Sequence, residues 1–443
     1  MRRIIALLII LSALLGGCNL PRAGTLAPPK LDPSISGSGS AFQGEESPSK
    51  TRTPIPTSTE APPPTPTLSP AQIPDGPALQ ALESGEAVII TMINMLDEQS
   101  GWGIGHQTLR GSDHILFTED GGQTWQDRSP PEPSPEDPGE TKTAWAYFAD
   151  ERFAWVIYTP KGGPPPIGDQ YVWNTHDGGK SWEPSTALPT LGLEAYFVPE
   201  GFAFISEEQG WLLVHIDAGM SHDYSYLFST NDGGATWLRV SDPYGDGIQS
   251  LHNSGIVFLD ADFGWVSKDN LGVMAGAFFE QTLDGGSTWE DVFLPAPPEH
   301  DWFTEFSRCN ASSPLFTGEG AASLIVKCRL YGDDASTFDV WSFSYIYTTQ
   351  DLGETWQHTL LSSPVESLLF LDEKEGWAFG REYYKTIDGG LTWAKVKTVN
   401  WDGQFSFVDP LNGWAVARNL EEIALVKTTN GGQTWQIVEP VAK

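Results

Sequence analysis

From Ala87 to Lys443 the apolar residues come in short β-branched and aromatic runs, broken every few positions by Gly, Asp or Asn, and no stretch of useful length carries a helical period. That texture predicts an all-β chain of short strands joined by tight polar turns. Two turn elements recur along it. One reads TEDGGQTW from Thr118 and returns as THDGGKSW from Thr175, TNDGGATW from Thr230, TLDGGSTW from Thr282, TQDLGETW from Thr349, TIDGGLTW from Thr386 and TTNGGQTW from Thr428. Its third positions, Asp120, Asp177, Asp232, Asp284, Asp351, Asp388 and Asn430, are separated by 57, 55, 52, 67, 37 and 42 residues. The other places an Asp five residues before a Trp at Asp97, Asp150, Asp260, Asp372 and Asp409, with Ser206 taking that place before Trp211.

The two elements keep one phase, so each repeat reads strand one, polar turn, strand two opening with Gly-Trp or Ala-Trp, loop, strand three, Asp-Gly-Gly turn, strand four. Repeats of 40 to 50 residues with four strands each are the signature of propeller blades, and seven copies predict a seven-bladed β-propeller of four antiparallel strands per blade. The expected blades span residues 87–129, 143–184, 194–240, 250–294, 302–361, 365–398 and 403–438. Thirteen of the 18 tryptophans fall in these two elements, which marks Trp here as a packing residue. The first strand near Val88 and the last near Ile437 read in phase, so blade seven is expected to pack directly on blade one without exchange of a strand between the ends.

The repeated turn resembles the Asp-box, or BNR, repeat of sialidase-like propellers. A catalytic carboxylate is needed once per site and a staple once per blade, so the seven box positions are expected to be structural. The short Asp or Asn side chain accepts from backbone N–H groups just ahead, the glycines take backbone angles that a Cβ forbids, and the Trp packs between sheets. The fifth box replaces its first Gly with Leu352, and the fifth repeat has Ser323 where the others carry the strand-two Trp. Its hairpin centres between Gly318 and Glu319, which sets Cys309 and Cys328 opposite each other and predicts a disulfide between them.

Ahead of the ring, Arg2 and Arg3, an apolar run from Ile4 to Leu15, and Leu15-Gly16-Gly17-Cys18 look like the signal and lipobox of a bacterial lipoprotein, which implies lipidation of Cys18. Twelve apolar residues are too few to span a bilayer. Residues 19–86, rich in Pro, Thr and Ser, read as a disordered tether. The expected location is therefore extracytoplasmic, with the chain lipid-anchored to the bacterial cell membrane as a monomer, where a disulfide would persist. The formal charge of −33 and the lack of a basic stripe exclude nucleic acid as a partner.

Strand alternation puts all the boxes on one face of the ring and the variable loops on the other, where propellers place their sites. Four residues beyond each strand-two opener stand His106, Thr159, His215, Asp269, Lys327, Arg381 and Arg418, with Lys268 one step early in the fourth repeat. His106, His215, Lys268, Lys327, Arg381 and Arg418 are thus the expected binding residues, a basic circle that would attract a carboxylate, an acidic peptide or a glycan. No cofactor and no metal are expected, since no DxDxDG loop occurs.

The Gly-Trp strand combined with the TxDGGxTW turn is more similar to the photosystem II stability and assembly factor family than to true sialidases. The resemblance implies a non-catalytic propeller that binds a protein partner within a membrane complex through a basic patch, to which Arg381 and Arg418 correspond. The alternative is a sialidase-like glycoside hydrolase, with Arg110, Arg381 and Arg418 around a substrate carboxylate and Tyr171, Tyr224 or Tyr383 as nucleophile. No Tyr-Glu or paired-carboxylate constellation supports it.

Overall fold

The computed structural model describes residues 79–443 apart from 80, 109–110, 132–140, 162–168, 193, 220–221, 242–247, 251–252, 269–275, 301–302, 304–307, 319, 330–342 and 421. The signal segment, Cys18 and the tether up to residue 78 lie outside the described residues.

The strands pair into seven separate antiparallel sheets, one for each repeat. Blade six shows the plan: Val365–Phe370, Gly376–Gly380, Glu382–Thr386 and Ala394–Thr398, hydrogen-bonded in chain order. First strands of neighbouring blades touch one another around the centre, as Val365–Phe370 touches Asp402–Phe407 and Ile89–Met95 touches Asp402–Phe407. The ring is a seven-bladed propeller, as the repeat predicts.

Its hydrophobic core is divided among the seams between blades. Seven clusters of buried residues form, and each draws on two adjacent blades. Trp155 of blade two packs with Trp237 of blade three, and Trp414 of blade seven packs with Trp125 of blade one. The strand-two Trp is fully buried in every blade that has one.

Blade five departs from the plan as the sequence indicates. Its first strand is split into Arg308–Ala311 and Leu315–Gly318, both paired with Ala321–Arg329. Ala322 pairs with the box residue Thr349 as Gly376 pairs with Thr386 in blade six, so Ser323 does occupy the Trp position. Cys309 and Cys328 are register partners on this hairpin and are joined by a disulfide.

Ring closure differs from the sequence expectation. Blade seven does pack on blade one, with Gln404 bonding both the N–H and the carbonyl of Ile93. In addition, Val441–Ala442 adds a fifth, parallel strand to the outer edge of blade one beside Thr124–Asp127. The same residues meet the segment ahead of strand one: Gly85 N–H donates to Ala442 O, Val88 N–H to Pro440 O and Ala442 N–H to Glu86 O, at 2.8 to 2.9 Å. On the other side Val441 N–H donates to Gln123 O and Lys443 N–H to Trp125 O. In-phase strands said nothing of this clasp, because it is built from backbone groups beyond the last repeat and from residues 85 and 86, ahead of the Ala87 boundary.

Candidate functional site

The box turns are closed on themselves. In blade one, Asp120 Oδ1 accepts from Gln123 N–H and Thr124 N–H at 3.0 and 2.8 Å, Oδ2 accepts from the Thr124 hydroxyl at 2.7 Å, and Thr118 Oγ1 accepts from Gly122 N–H at 2.9 Å. Asp177, Asp232, Asp284, Asp351 and Asp388 repeat the pattern. Asn430 keeps the Oδ1 contact with Thr434 N–H and reverses the last one, its Nδ2 donating to Thr434 Oγ1 at 2.8 Å. Hydrogen bonds from the Ser181 hydroxyl and N–H, with Thr175 and Lys180, pull the Asp177 carboxyl down to about 2. Burial pushes the Asp120, Asp284 and Asp388 carboxyls up, and the hydrogen bonds inside their turns outweigh it and hold them below the usual carboxylate range. Acids held ionised by their own turns are poor proton donors.

Four of the seven boxes also receive a bond from a neighbouring blade, and Trp377 Nε1, buried beside the seventh, has no partner. Trp155 Nε1 donates to Gly233 O, Trp211 Nε1 to Gly285 O and Trp414 Nε1 to Gly121 O, at 2.8 to 3.0 Å, always from one blade to the first box glycine of the next. Between blades one and two the arrangement is swapped: Arg128 takes Gly178 O, and Trp102 donates to Asp150 O. The fifth box has Leu352 at that glycine position, with φ of 57°, and Trp265 of blade four bonds Gln281 of its own blade instead. A left-handed conformation costs a Cβ-bearing residue about 1–2 kcal/mol, part of which Gly would give back through the unfolded chain. Leu352→Gly is therefore expected to raise stability by about 0.5–1 kcal/mol in urea denaturation, and an unchanged or lower midpoint would show that the turn carries no strain.

On the loop face, the register sets Ile89 opposite His106, Val198 opposite His215, Asn253 opposite Lys268, Asn310 opposite Lys327 and Asp402 opposite Arg418, while Arg381 follows the end of its second strand at Gly380. Their surroundings differ. His106 is buried with Nδ1 3.1 Å from Asp113 Oδ1, and Lys161 reaches the same carboxylate at 3.5 Å. The His215 ring lies against Tyr196, with Nε2 2.9 Å from Asp217 O. Lys327 pairs with Glu366 at 2.7 Å. The Lys268 side chain, Asp269 and Arg110 lie outside what is described.

Arg381 and Arg418 are linked through Asp402, which pairs with one and stands opposite the other. Arg381 is 68% exposed in its side chain and pairs with Asp402 at 3.4 Å, and Asp402 is the register partner of Arg418. Arg418 is exposed and its guanidinium donates to Thr91 O of blade one. Arg381 thus meets the carboxylate of the strand residue that stands opposite Arg418 in register, where the hairpins of blades six and seven are short. Trp401, beside Asp402, stacks on Phe405 and edges against Tyr383. Sequence reasoning passed over Asp402 and Trp401 because the entry to blade seven carries no repeat signal.

The phenols needed for glycoside chemistry are not assembled with these arginines. Tyr171 lies in blade two, Tyr224 in blade three, and Tyr383, though near Arg381, is 1% exposed with a hydroxyl that has no hydrogen-bond partner. Burial first, then the Asp402 charge, pushes the Tyr383 hydroxyl well above its usual value, opposite to what a nucleophile requires. Among the described residues no group of three or more His, Cys, Asp or Glu is placed to hold a metal ion.

No protein-family model matches the chain, and no curated protein does. Among solved structures it is similar to YCF48 bound to D1 peptide, at 17% identity over 80% of this chain and 99% of that one, with a TM-score of 0.48. It is similar to YCF48 from Cyanidioschyzon merolae at 18% identity over 79% and 98%, with a TM-score of 0.47. A GH74 xyloglucanase from Xanthomonas campestris is similar at 13% identity over 82% of this chain and 55% of that one, also at 0.47. The seven blades rest on the strand pairing described above and borrow nothing from these likenesses.

Proposed function

We propose that this chain is a non-catalytic binding scaffold: a seven-bladed ring, lipid-anchored outside the cytoplasmic membrane through Cys18 and held off it by residues 19–86, that presents its loop face to a protein partner. The observation that carries the reading is the exposure of Arg381 and Arg418 on neighbouring blades, Arg381 paired with Asp402, the register partner of Arg418, in a molecule of formal charge −33. Exposed guanidiniums on a rigid ring suit an acidic segment of a partner, which they engage bidentately, while the surrounding negative field repels that segment from the rest of the surface. The box carboxylates, tied within their turns, and the buried Tyr383 offer no acid and nucleophile across one bond.

Pull-down from detergent-solubilised membranes with the full chain as bait, beside Arg381→Glu and Arg381→Glu/Arg418→Gln variants, tests this. A partner held by the native chain is expected to be lost at least tenfold by both variants, with the unfolding midpoint of Arg381→Glu unchanged because that side chain is exposed. Equal recovery by all three baits, or turnover of a glycan by the native chain, would overturn the reading.

A further inference from the structure

The cations of the loop face differ in how firmly they are held. Lys327 is closed on Glu366 at 2.7 Å, the Arg418 guanidinium donates to Thr91 O of blade one, and His106 is buried against Asp113. Arg381 is held by less. Its Nε faces Asp402 Oδ1 and its Nη2 faces Asp402 Oδ2, both at 3.4 Å, the side-on approach by which a guanidinium takes a carboxylate at two points. A charge-assisted pair closes to about 2.7–2.9 Å when fully formed, so this fork is oriented toward a carboxylate without being drawn onto it. The two side chains are 68% and 56% exposed, and among the described residues each is the other's only hydrogen-bonding partner.

The backbone places Asp402 independently of this contact. Asp402 opens the first strand of blade seven, where register holds it opposite Arg418, and Arg381 follows the second strand of blade six at Gly380. The carboxylate can therefore leave the guanidinium by turning about its own side-chain bonds, with both strands unmoved. An exposed pair of this kind contributes little, since water solvates both charges as they part. An incoming carboxylate meets a fork already oriented for it and needs only to take the place of Asp402.

We propose that Asp402 is an internal stand-in for the partner's carboxylate: it occupies the Arg381 guanidinium in the free protein and is displaced when the acidic segment docks. This role rests on the binding function proposed for the loop face and adds a regulatory element to it. Asp402 lowers the affinity of the site for every carboxylate by the strength of the pair that must be given up, so a weakly binding anion is turned away and a segment with further contacts is not.

NMR titration of the full chain with acetyl-tetraglutamate amide tests this, followed on the arginine Nε–H resonances, with that of Arg381 assigned by its loss in Arg381→Lys. At about 0.15 M salt, exposed charges more than ~8 Å away are largely screened and the contact at Arg381 dominates. Asp402→Asn is expected to tighten Kd about two- to fivefold, the range that exposed ion pairs set. Glu422→Gln removes the same unit of charge from an exposed position on the same blade and is expected to leave Kd unchanged. Equal gains in both variants would reduce the effect to net charge and overturn the proposal. A Kd in Asp402→Asn equal to or weaker than the native value would also overturn it, and would make Asp402 a residue that only positions Arg381. Binding that survives Arg381→Glu, or no saturable shift in any chain, would remove the binding function of the site and this role with it.

Discussion

Removing residues 440–443 is expected to cost the ring about 3–6 kcal/mol of unfolding free energy. Five backbone hydrogen bonds disappear with that segment, two to strand four of blade one and its turn and three to residues 85–88. Each is worth about 0.5–1.5 kcal/mol net, and the partners left behind at a buried edge add desolvation. Ala442, 4% exposed, also leaves the cluster that joins blades seven and one. Urea denaturation followed by Trp fluorescence measures the loss directly. Native-state hydrogen exchange should show the protection loss centred on residues 85–95 and 123–127. A truncated chain with the native midpoint would mean that side-chain packing of blade seven on blade one closes the ring by itself.

The second large effect lies in the wedge between a Trp and a box. Trp155→Ala is expected to cost about 3–5 kcal/mol, the range for deleting a buried aromatic ring, because Trp155 is 1% exposed and stacks 3.7 Å from Phe204. Gly234→Ala is expected to cost about 2–3 kcal/mol, since Gly234 has φ of +89° and a Cβ there would lie 2.8 Å from the Trp155 indole. The informative result is the double variant. With the indole gone, only the backbone strain of Ala at that φ remains, so the two costs should fall short of their sum by about 1 kcal/mol or more. Strict additivity would show that the glycine answers only to its own turn, and that the match between the two blades is incidental.

The ring was legible in the sequence because its signals repeat. A turn that must satisfy the same backbone groups seven times leaves seven similar strings, and a Trp that must reach the next blade keeps one phase with them. Even the exceptions could be read: Ser323 in place of Trp and Leu352 in place of Gly were located by alignment, and the disulfide by the symmetry of its hairpin. The loop face was less legible. Counting four residues past each opener is a rule of position only, and position says nothing of what else arrives there. Asp113 comes to His106 from just ahead of the third strand, Glu366 to Lys327 from the first strand of the next blade, and Asp402 to Arg381 from the start of blade seven. Each partner occurs once and outside the period, so a search by period passes over it. The clasp was missed for the same reason.

Blade five breaks the repeat three times, with a split first strand, a serine at the Trp position and a leucine in the left-handed turn, and it is the blade that holds the Cys309–Cys328 bond. Every other blade is held by groups the chain carries from the ribosome onward. This one is completed by an oxidation, which the surroundings must supply. One sector in seven thus reports the redox condition under which the protein matured: made where thiols stay reduced, the ring would be sound around most of its circumference and least secure at this blade.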